Sequence, residues 1–158
     1  MLERKDIVEE SKVIIFSLVD EEYGVEVAQV RSIEKMQNIT RVPRTPDFVK
    51  GVINLRGVVT PVIDLKTRFS LGKEEYTEST RIIIVAVEDM EVGLIVDAAN
   101  DVIDIPVNSI EQPPAVVGGI KASYLRGVAK LDNRLLIMLN LDKVLSNEEI
   151  QAMSMMER

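Results

Sequence analysis

Short runs of β-branched and aliphatic residues, separated by turn residues, recur along the chain and constrain its fold more than any other feature. Clear examples are KVIIFSLV at 12–19, RIIIVAV at 81–87 and LLIMLNL at 135–141. Strands spaced about 8–12 residues apart, with turn signals between them, are typical of small barrels and not of a sheet that alternates with helices. We therefore predict a mainly all-β fold in which each half of the chain supplies about five strands.

The second half of the sequence repeats the first. Three pairs of segments match in the same order, and they are 13–27 with 82–96, 55–58 with 125–128, and 61–65 with 137–141. The first pair aligns without a gap, and the second pair is Leu-Arg-Gly-Val in both copies. This order of hairpin, long connection, Leu-Arg-Gly-Val and final strand indicates two related β modules that share a core where they touch.

The predicted organisation is one domain in four parts. They are a flexible tail at 1–12, a first β-barrel subdomain at 13–75, a second at 80–144, and a C-terminal helix at 145–158 that packs back on the barrels. Ser146 and Glu149 predict a capping box at the start of that helix. Its inward stripe is predicted to be Leu145, Ile150, Met153 and Met156. Because about 70 residues alone bury a marginal core, we expect the first strand or the terminal helix to cross between the halves.

The segment from Val42 to Leu65, VPRTPDFVKGVINLRGVVTPVIDL, is the most distinctive in the chain. Thr45 and Pro46 predict the start of a short helix, and Gly51 suits the left-handed residue that follows one. Arg56 is a fixed charge within otherwise apolar sequence. Arginine is mostly exposed, so Arg56 either points to solvent or pairs with a neighbouring acid. The alternative is that Arg56 is a recognition residue held at a groove.

The composition argues against several classes of function. Without His or Cys, the chain lacks the usual ligands of zinc and other transition metals and the usual nucleophile pairs of hydrolases. An enzyme that uses carboxylates alone, such as a magnesium-dependent hydrolase, needs converging acids. The acids Glu21, Glu22, Glu74 and Glu75 instead fall in predicted turns or linkers. We therefore predict no catalytic residue, no metal site and no cofactor.

The charge and hydropathy of the chain bear on its partners and location. A net charge of −7 argues against binding nucleic acid, including by an oligonucleotide-binding barrel, and against docking on anionic lipid. No apolar run reaches the roughly 18 residues of a membrane span. We expect an intracellular protein with no direct membrane insertion.

Four segments resemble the CheW-like family of chemotaxis proteins. They are EEYGVEVAQV at 21–30, TRVPRTPDFVKGVINLRGVVTPVIDL at 40–65, VGLIVDAANDV at 92–102 and LRGVAKLDNRLLIMLNLDKVL at 125–145. The resemblance implies two SH3-like five-stranded β-barrels in a cytoplasmic, non-catalytic scaffold that couples chemoreceptors to the chemotaxis histidine kinase. A free-standing adaptor is expected. The alternative is a CheW-like regulatory domain of a kinase or of another signalling system.

The resemblance also implies two binding surfaces. The helical tip of a methyl-accepting chemoreceptor would lie in a groove between the barrels, and the regulatory domain of the kinase, itself of this fold, would dock barrel to barrel. The implied receptor-binding residues are Arg56, Val27, Val30, Ile33, Val96, Ala98 and Ala99. The implied kinase-binding residues, on loops of the first barrel, are Thr40, Arg41, Phe48, Val49 and Gly51. The chain departs from the family at Ser32, where an acid is often found.

Overall fold

The computed structural model describes residues 9–72, 75–117 and 120–156, and these residues form mainly β structure. The strands are β1 Glu10–Leu18, β2 Glu21–Glu26, β3 Val30–Lys35, β4 Val49–Leu55, β5 Val58–Asp64, β6 Arg81–Val87, β7 Met90–Val96, β8 Ala98–Pro106, β9 Ile110–Glu111, β10 Val116–Val117, β11 Ile120–Lys121, β12 Leu125–Leu131 and β13 Arg134–Leu139. The α-helices are α1 Leu65–Arg68, α2 Leu141–Val144 and α3 Asn147–Ser154, and 3₁₀ turns cover Val27–Gln29, Val107–Ser109 and Ala122–Tyr124.

Two sheets carry the fold, and they fit the two SH3-like subdomains that the resemblance implied. The inserted sheet has five strands in the order β3-β6-β7-β5-β4, all from residues 30–96. The split sheet has six strands in the order β8-β1-β2-β13-β12-β9, so it combines residues 10–26 with residues 98–139. The chain thus leaves the split sheet after β2, completes the inserted sheet and returns at β8.

The assignment of strands to the two sheets differs from the predicted division into subdomains at 13–75 and 80–144. The hairpin β1–β2 pairs with strands of the second half, because β2 runs parallel to β13 with Gly24 opposite Met138. The hairpin β6–β7 pairs with strands of the first half in the same way, with Gly93 opposite Val62. The predicted crossing of the first strand is therefore present, and the second hairpin crosses too. The strand β1 also begins at Glu10, inside the predicted tail, whose residues 1–8 lie outside the described part of the chain.

The internal repeat is structural, but one of its three predicted alignments is wrong. Leu55-Arg56-Gly57-Val58 contains the turn between β4 and β5, whereas Leu125-Arg126-Gly127-Val128 lies inside β12. The counterpart of Gly127 is Gly51, because both follow a register irregularity near the start of their strands. The alignment of 13–27 with 82–96 holds, because Gly24 pairs with Ile15 and Gly93 pairs with Ile84 in equivalent hairpins. The alignment of 61–65 with 137–141 also holds, since Asp64 and Asn140 each cap the short helix that follows the strand.

Three apolar clusters form the core among the residues that the structure describes. One packs among the strands of the inserted sheet and includes Ile82 and Ile84. A second packs among the strands of the split sheet, and the third and largest, here called the central core, draws on strands of both sheets and on the helices. Successive residues of β6 alternate between clusters, with Ile83 and Val85 in the central core. This strand is buried on both faces, which explains its unbroken apolar sequence.

The predicted short helix after Thr45 is absent, and residues 43–48 form turns instead. Gly51 lies within β4 with φ of 141°, so it is not the residue that ends a helix. A Cβ on Gly51 would lie 2.0 Å from the carbonyl oxygen of Thr40. Glycine is required here because the Thr40 backbone pairs with Val52 directly beside it.

The C-terminal helix covers Asn147–Ser154 within the predicted range 145–158, and it begins with the predicted cap. The Ser146 hydroxyl accepts a hydrogen bond from the Glu149 N–H, and the Glu149 carboxylate accepts one from the Ser146 N–H. This reciprocal pair is the expected capping box. The predicted stripe also faces inward, with Leu145, Ile150 and Met153 buried in the central core and Met156 packed against it.

Candidate functional site

A shallow groove lies between β3, an edge strand of the inserted sheet, and β8, an edge strand of the split sheet. Ile33 of β3 and Ala99 and Val102 of β8 line this groove, with Ile14 also in the lining. Side chains on β3 alternate in exposure, and Ile33 is 42% exposed although it is a large aliphatic residue. Asn100 and Asp101 supply polar groups to the same lining. The groove therefore offers an apolar strip with a polar border.

The other predicted groove residues take different positions. Ala98 is half-buried at the start of β8 beside the groove lining. Val27 and Val30 are half-buried and pack against the central core. Val96 is 1% exposed and belongs to that core, so it is not available at the surface. Among the predicted receptor-binding residues, Ile33 and Ala99 are thus brought together, whereas Val96 lies in the core and outside the groove lining.

Arg56 lies at the turn between β4 and β5 with φ of 52° and a side chain that is 70% exposed. The Gly57 N–H donates to the Asn54 side-chain oxygen at 2.8 Å and tightens this turn. One guanidinium nitrogen of Arg56 lies 3.4 Å from Oε2 of Glu34, which is on β3 next to Ile33. Successive strand residues face opposite sides. Arg56 therefore contacts β3 on the side opposite Ile33. Its side chain is largely exposed to solvent and is also paired with an acid.

The predicted kinase-binding residues lie at the loop that joins β3 to β4 and at the start of β4. Thr40 and Arg41 are exposed, whereas Phe48, Val49 and Gly51 are buried. The Thr40 N–H and carbonyl pair with the Val52 carbonyl and N–H at 2.9 Å each, which closes the loop at its base. Phe48 and Val49 anchor the loop in the central core, and Arg41 remains available to a partner.

Arg68 contacts several elements that are distant in sequence, and the sequence analysis did not identify it. Its side chain is 15% exposed and its guanidinium carbon lies 4.6 Å from the ring centre of Phe48 and 5.3 Å from that of Tyr124. The guanidinium donates to the Val144 carbonyl oxygen at 2.7 Å and to Oε1 of Glu149 at 3.0 Å. One cation therefore ties α1 to the β3–β4 loop, to α2 and to α3. Nothing in the sequence around Arg68 identifies these distant partners.

A second junction connects the two sheets at Asp97, between β7 and β8. One carboxylate oxygen of Asp97 accepts from the Val19 N–H at 2.8 Å, and the other lies 3.0 Å from Nζ of Lys66. The Asp97 N–H donates to the Ser17 carbonyl at 3.0 Å. The crossing from the inserted to the split sheet is thereby fixed to the β1–β2 turn and to α1.

The titratable groups with shifted pKa values lie outside the groove. Burial, with a smaller contribution from Glu21, raises the pKa of Tyr23 to about 12, and its hydroxyl finds no hydrogen-bond partner among the described residues. The hydrogen bond from Arg134 lowers the pKa of Glu22 below its usual 4.5. In the described ranges, no group of three or more acidic side chains is placed to hold a metal ion. None of the described helices is long and apolar enough to cross a bilayer.

Comparisons with known proteins agree on one family. The CheW-like domain model matches residues 12–149. The chain is 48% identical over 141 residues to a chemotaxis protein CheW of Bacillus subtilis, covering 89% of this chain and 90% of that protein. It is 38% identical over 137 residues to a chemotaxis protein CheW of Klebsiella aerogenes, covering 87% and 82% respectively. The crystal structure of the scaffolding protein TtCheW from Thermoanaerobacter tengcongensis superposes with a TM-score of 0.83 at 42% identity, covering 89% of this chain and 96% of that one.

Proposed function

The chain belongs to the CheW-like domain family, and we propose that it couples a chemoreceptor to a chemotaxis histidine kinase through two separate surfaces. As a CheW-like protein it is a scaffold of chemotaxis signalling and not an enzyme. The receptor's helical tip binds in the groove between β3 and β8. The kinase regulatory domain docks barrel to barrel at the β3–β4 loop. Both partners meet the chain in the cytoplasm.

The observation that carries the receptor proposal is the shared lining of Ile33 and Ala99. These residues belong to edge strands of different sheets. The affinity for a ligand that touches both therefore depends on the relative position of the two subdomains. An aliphatic strip of this kind suits the apolar face of a helix, with about 25 cal/mol gained for each Å² removed from water. A groove this shallow gives weak binding on its own. In an array, the overall affinity comes from many such contacts made at the same time.

Replacement of Ile33 by Asp tests the groove. A carboxylate at this position places an unpaired charge against the apolar face of the receptor helix, and we expect the affinity for a receptor cytoplasmic fragment to fall by about ten-fold or more. Leu135→Asp is the matched control, because Leu135 is 48% exposed but lies outside the groove lining. Equal binding by the two variants would contradict the groove as the receptor site, and a thermal melt of each variant verifies folding.

The kinase proposal is supported by the way the β3–β4 loop is held. Its ends are tied by the Thr40–Val52 pairing, and Phe48 is fixed beneath the guanidinium of Arg68. A loop that is already ordered loses little conformational entropy on binding, which favours its use as a docking surface.

A further inference from the structure

A cleft beside the β3–β4 loop concentrates positive charge in an otherwise acidic protein. The cationic residues in its lining are Arg41, Arg44 and Lys50, and Asp47 is the one acid in that lining. The whole chain carries 26 acidic and 19 basic residues, so a lining with more cations than acids runs against the overall charge. Ile39, Val42 and Val49 give the same cleft apolar surface.

The two arginines of this cleft are available to a ligand. Arg41 and Arg44 are both exposed, and neither forms an ion pair or a side-chain hydrogen bond with any residue in the described ranges. This sets them apart from Arg31, Arg56, Arg68, Arg126 and Arg134, each of which lies within 4.0 Å of a carboxylate. Arg44 also has φ of 63°, a conformation that non-glycine residues rarely adopt.

Local hydrogen bonds hold the cleft in one shape. The Thr45 hydroxyl donates to the Val42 carbonyl at 3.0 Å, and the Val49 N–H donates to the Pro46 carbonyl at 3.0 Å. The Asp64 N–H donates to the Phe48 carbonyl at 2.8 Å, which joins the loop to the end of β5. The strained backbone at Arg44 is therefore maintained by its surroundings, and the arginines are presented without a partner on an ordered loop.

An apolar groove adjoins the basic cleft. Its lining includes Phe48 together with Ala152, Met153 and Met156 of the C-terminal region, and it shares Arg44, Thr45, Pro46 and Val49 with the cleft. The acids Glu148 and Glu149 also line it, and Glu149 is paired with Arg68. The two depressions thus form one continuous surface around the 44–49 segment. One side is mainly cationic, and the other combines two methionines with the carboxylates of Glu148 and Glu149. A ligand that fits both carries carboxylates next to a large apolar side chain.

We infer that this surface binds an acidic segment of the docked kinase regulatory domain, with its carboxylates at Arg41 and Arg44 and an adjacent apolar side chain in the methionine groove. The inference rests on the proposed kinase docking and specifies its chemistry. Electrostatic recognition of this kind makes association sensitive to salt, because exposed charges are screened over about 8 Å at physiological ionic strength.

The test measures binding of the full chain to the kinase regulatory domain by titration calorimetry at about 50 mM and about 300 mM NaCl. The double variant Arg41→Gln, Arg44→Gln is expected to bind about ten-fold more weakly than the wild type at low salt and to lose most of the salt dependence. The double variant Arg41→Lys, Arg44→Lys keeps the charge and is expected to stay within about three-fold. Lys121→Gln with Lys143→Gln removes two exposed cations elsewhere and should leave binding unchanged.

Two results would overturn the inference while kinase docking stands. One is a glutamine variant that binds within about two-fold of the wild type at both salt concentrations, and the other is an equal loss in the lysine and glutamine variants. Failure of the wild type itself to bind the regulatory domain would overturn the proposed docking and this role of the cleft together. Thermal unfolding of each variant separates a binding defect from a folding defect.

Discussion

The guanidinium of Arg68 lies 4.6 Å from the ring centre of Phe48 while it donates to Oε1 of Glu149 at 3.0 Å. Phe48 belongs to the proposed kinase-docking loop, and Glu149 belongs to the capping box of α3. The loop and the C-terminal helix are therefore joined through a single side chain. Because that side chain is 15% exposed, the cation–π contacts and the ion pair are only weakly screened by water.

Replacement of Arg68 by Met is expected to destabilise the protein by about 2–4 kcal/mol, because the Val144 carbonyl loses a partner and Glu149 loses its cation. Arg68→Lys keeps the charge but cannot reach both acceptors with a planar group, so an intermediate loss is expected. Urea unfolding measures both variants, with the exposed Arg41→Ala as control. A stability for Arg68→Met equal to that of the control would show that this junction contributes nothing.

Glycine is required at Gly51 and much less so at Gly57, although both have positive φ, of 141° and 88°. A Cβ at Gly51 would meet the Thr40 carbonyl oxygen at 2.0 Å, whereas nothing lies within 4 Å of one at Gly57. We expect Gly57→Ala to cost about 1–2 kcal/mol from backbone strain alone. Gly51→Ala should cost clearly more, at least about 3 kcal/mol, because the Thr40 segment must also move. Chemical denaturation of both variants measures the two losses of unfolding free energy. Similar losses would contradict the predicted clash at Gly51.

The sequence predicted the local elements well because their signals are local. The hairpins 13–27 and 82–96 follow from their apolar runs and turns, and the capping box of α3 follows from Ser146 and Glu149. Pairing partners were not predictable in the same way. β6 is apolar on both faces, so no polar side indicates which sheet covers it. Arg68 finds the Val144 carbonyl 76 residues away, and no residue near it in sequence signals that contact.

The difference between local signals and long-range pairing also explains the two errors in the Val42–Leu65 segment. Thr45 and Pro46 are good helix-start residues, but β4 begins at Val49 and leaves only residues 46–48 after Thr45, which is less than one helical turn. Leu-Arg-Gly-Val occurs twice, yet glycine is needed at Gly127 for close packing against Glu111 and at Gly57 for a turn. Identical tetrapeptides therefore served two structural purposes, and the alignment between them was fortuitous.

Acid should weaken the link between Glu22 and Arg134. Arg134 donates to both carboxylate oxygens of Glu22 at 2.9 Å, and this lowers the pKa of Glu22 below its usual 4.5. Because the folded-state pKa is the lower one, the pair contributes stability above pH 4.5, and that contribution is lost as the pH falls through the folded-state pKa. The midpoint of thermal unfolding should therefore be higher for the wild type than for Glu22→Gln at neutral pH, and the two midpoints should converge in acid. A constant difference across the titration would contradict this linkage.

Arg56→Ala separates recognition from pairing with an acid. Arg56 is 70% exposed and its partner Glu34 is 18% exposed, so the loss of this ion pair should change the free energy of unfolding by less than about 1 kcal/mol. If Arg56 contacts the receptor, the alanine variant should bind a receptor cytoplasmic fragment several-fold more weakly while its unfolding stays near that of the wild type. Glu34→Gln is the control, because it removes the same ion pair but keeps the arginine. Equal binding defects in the two variants would mean that Arg56 acts only by holding Glu34, and normal binding by both would exclude a role for this turn in receptor recognition.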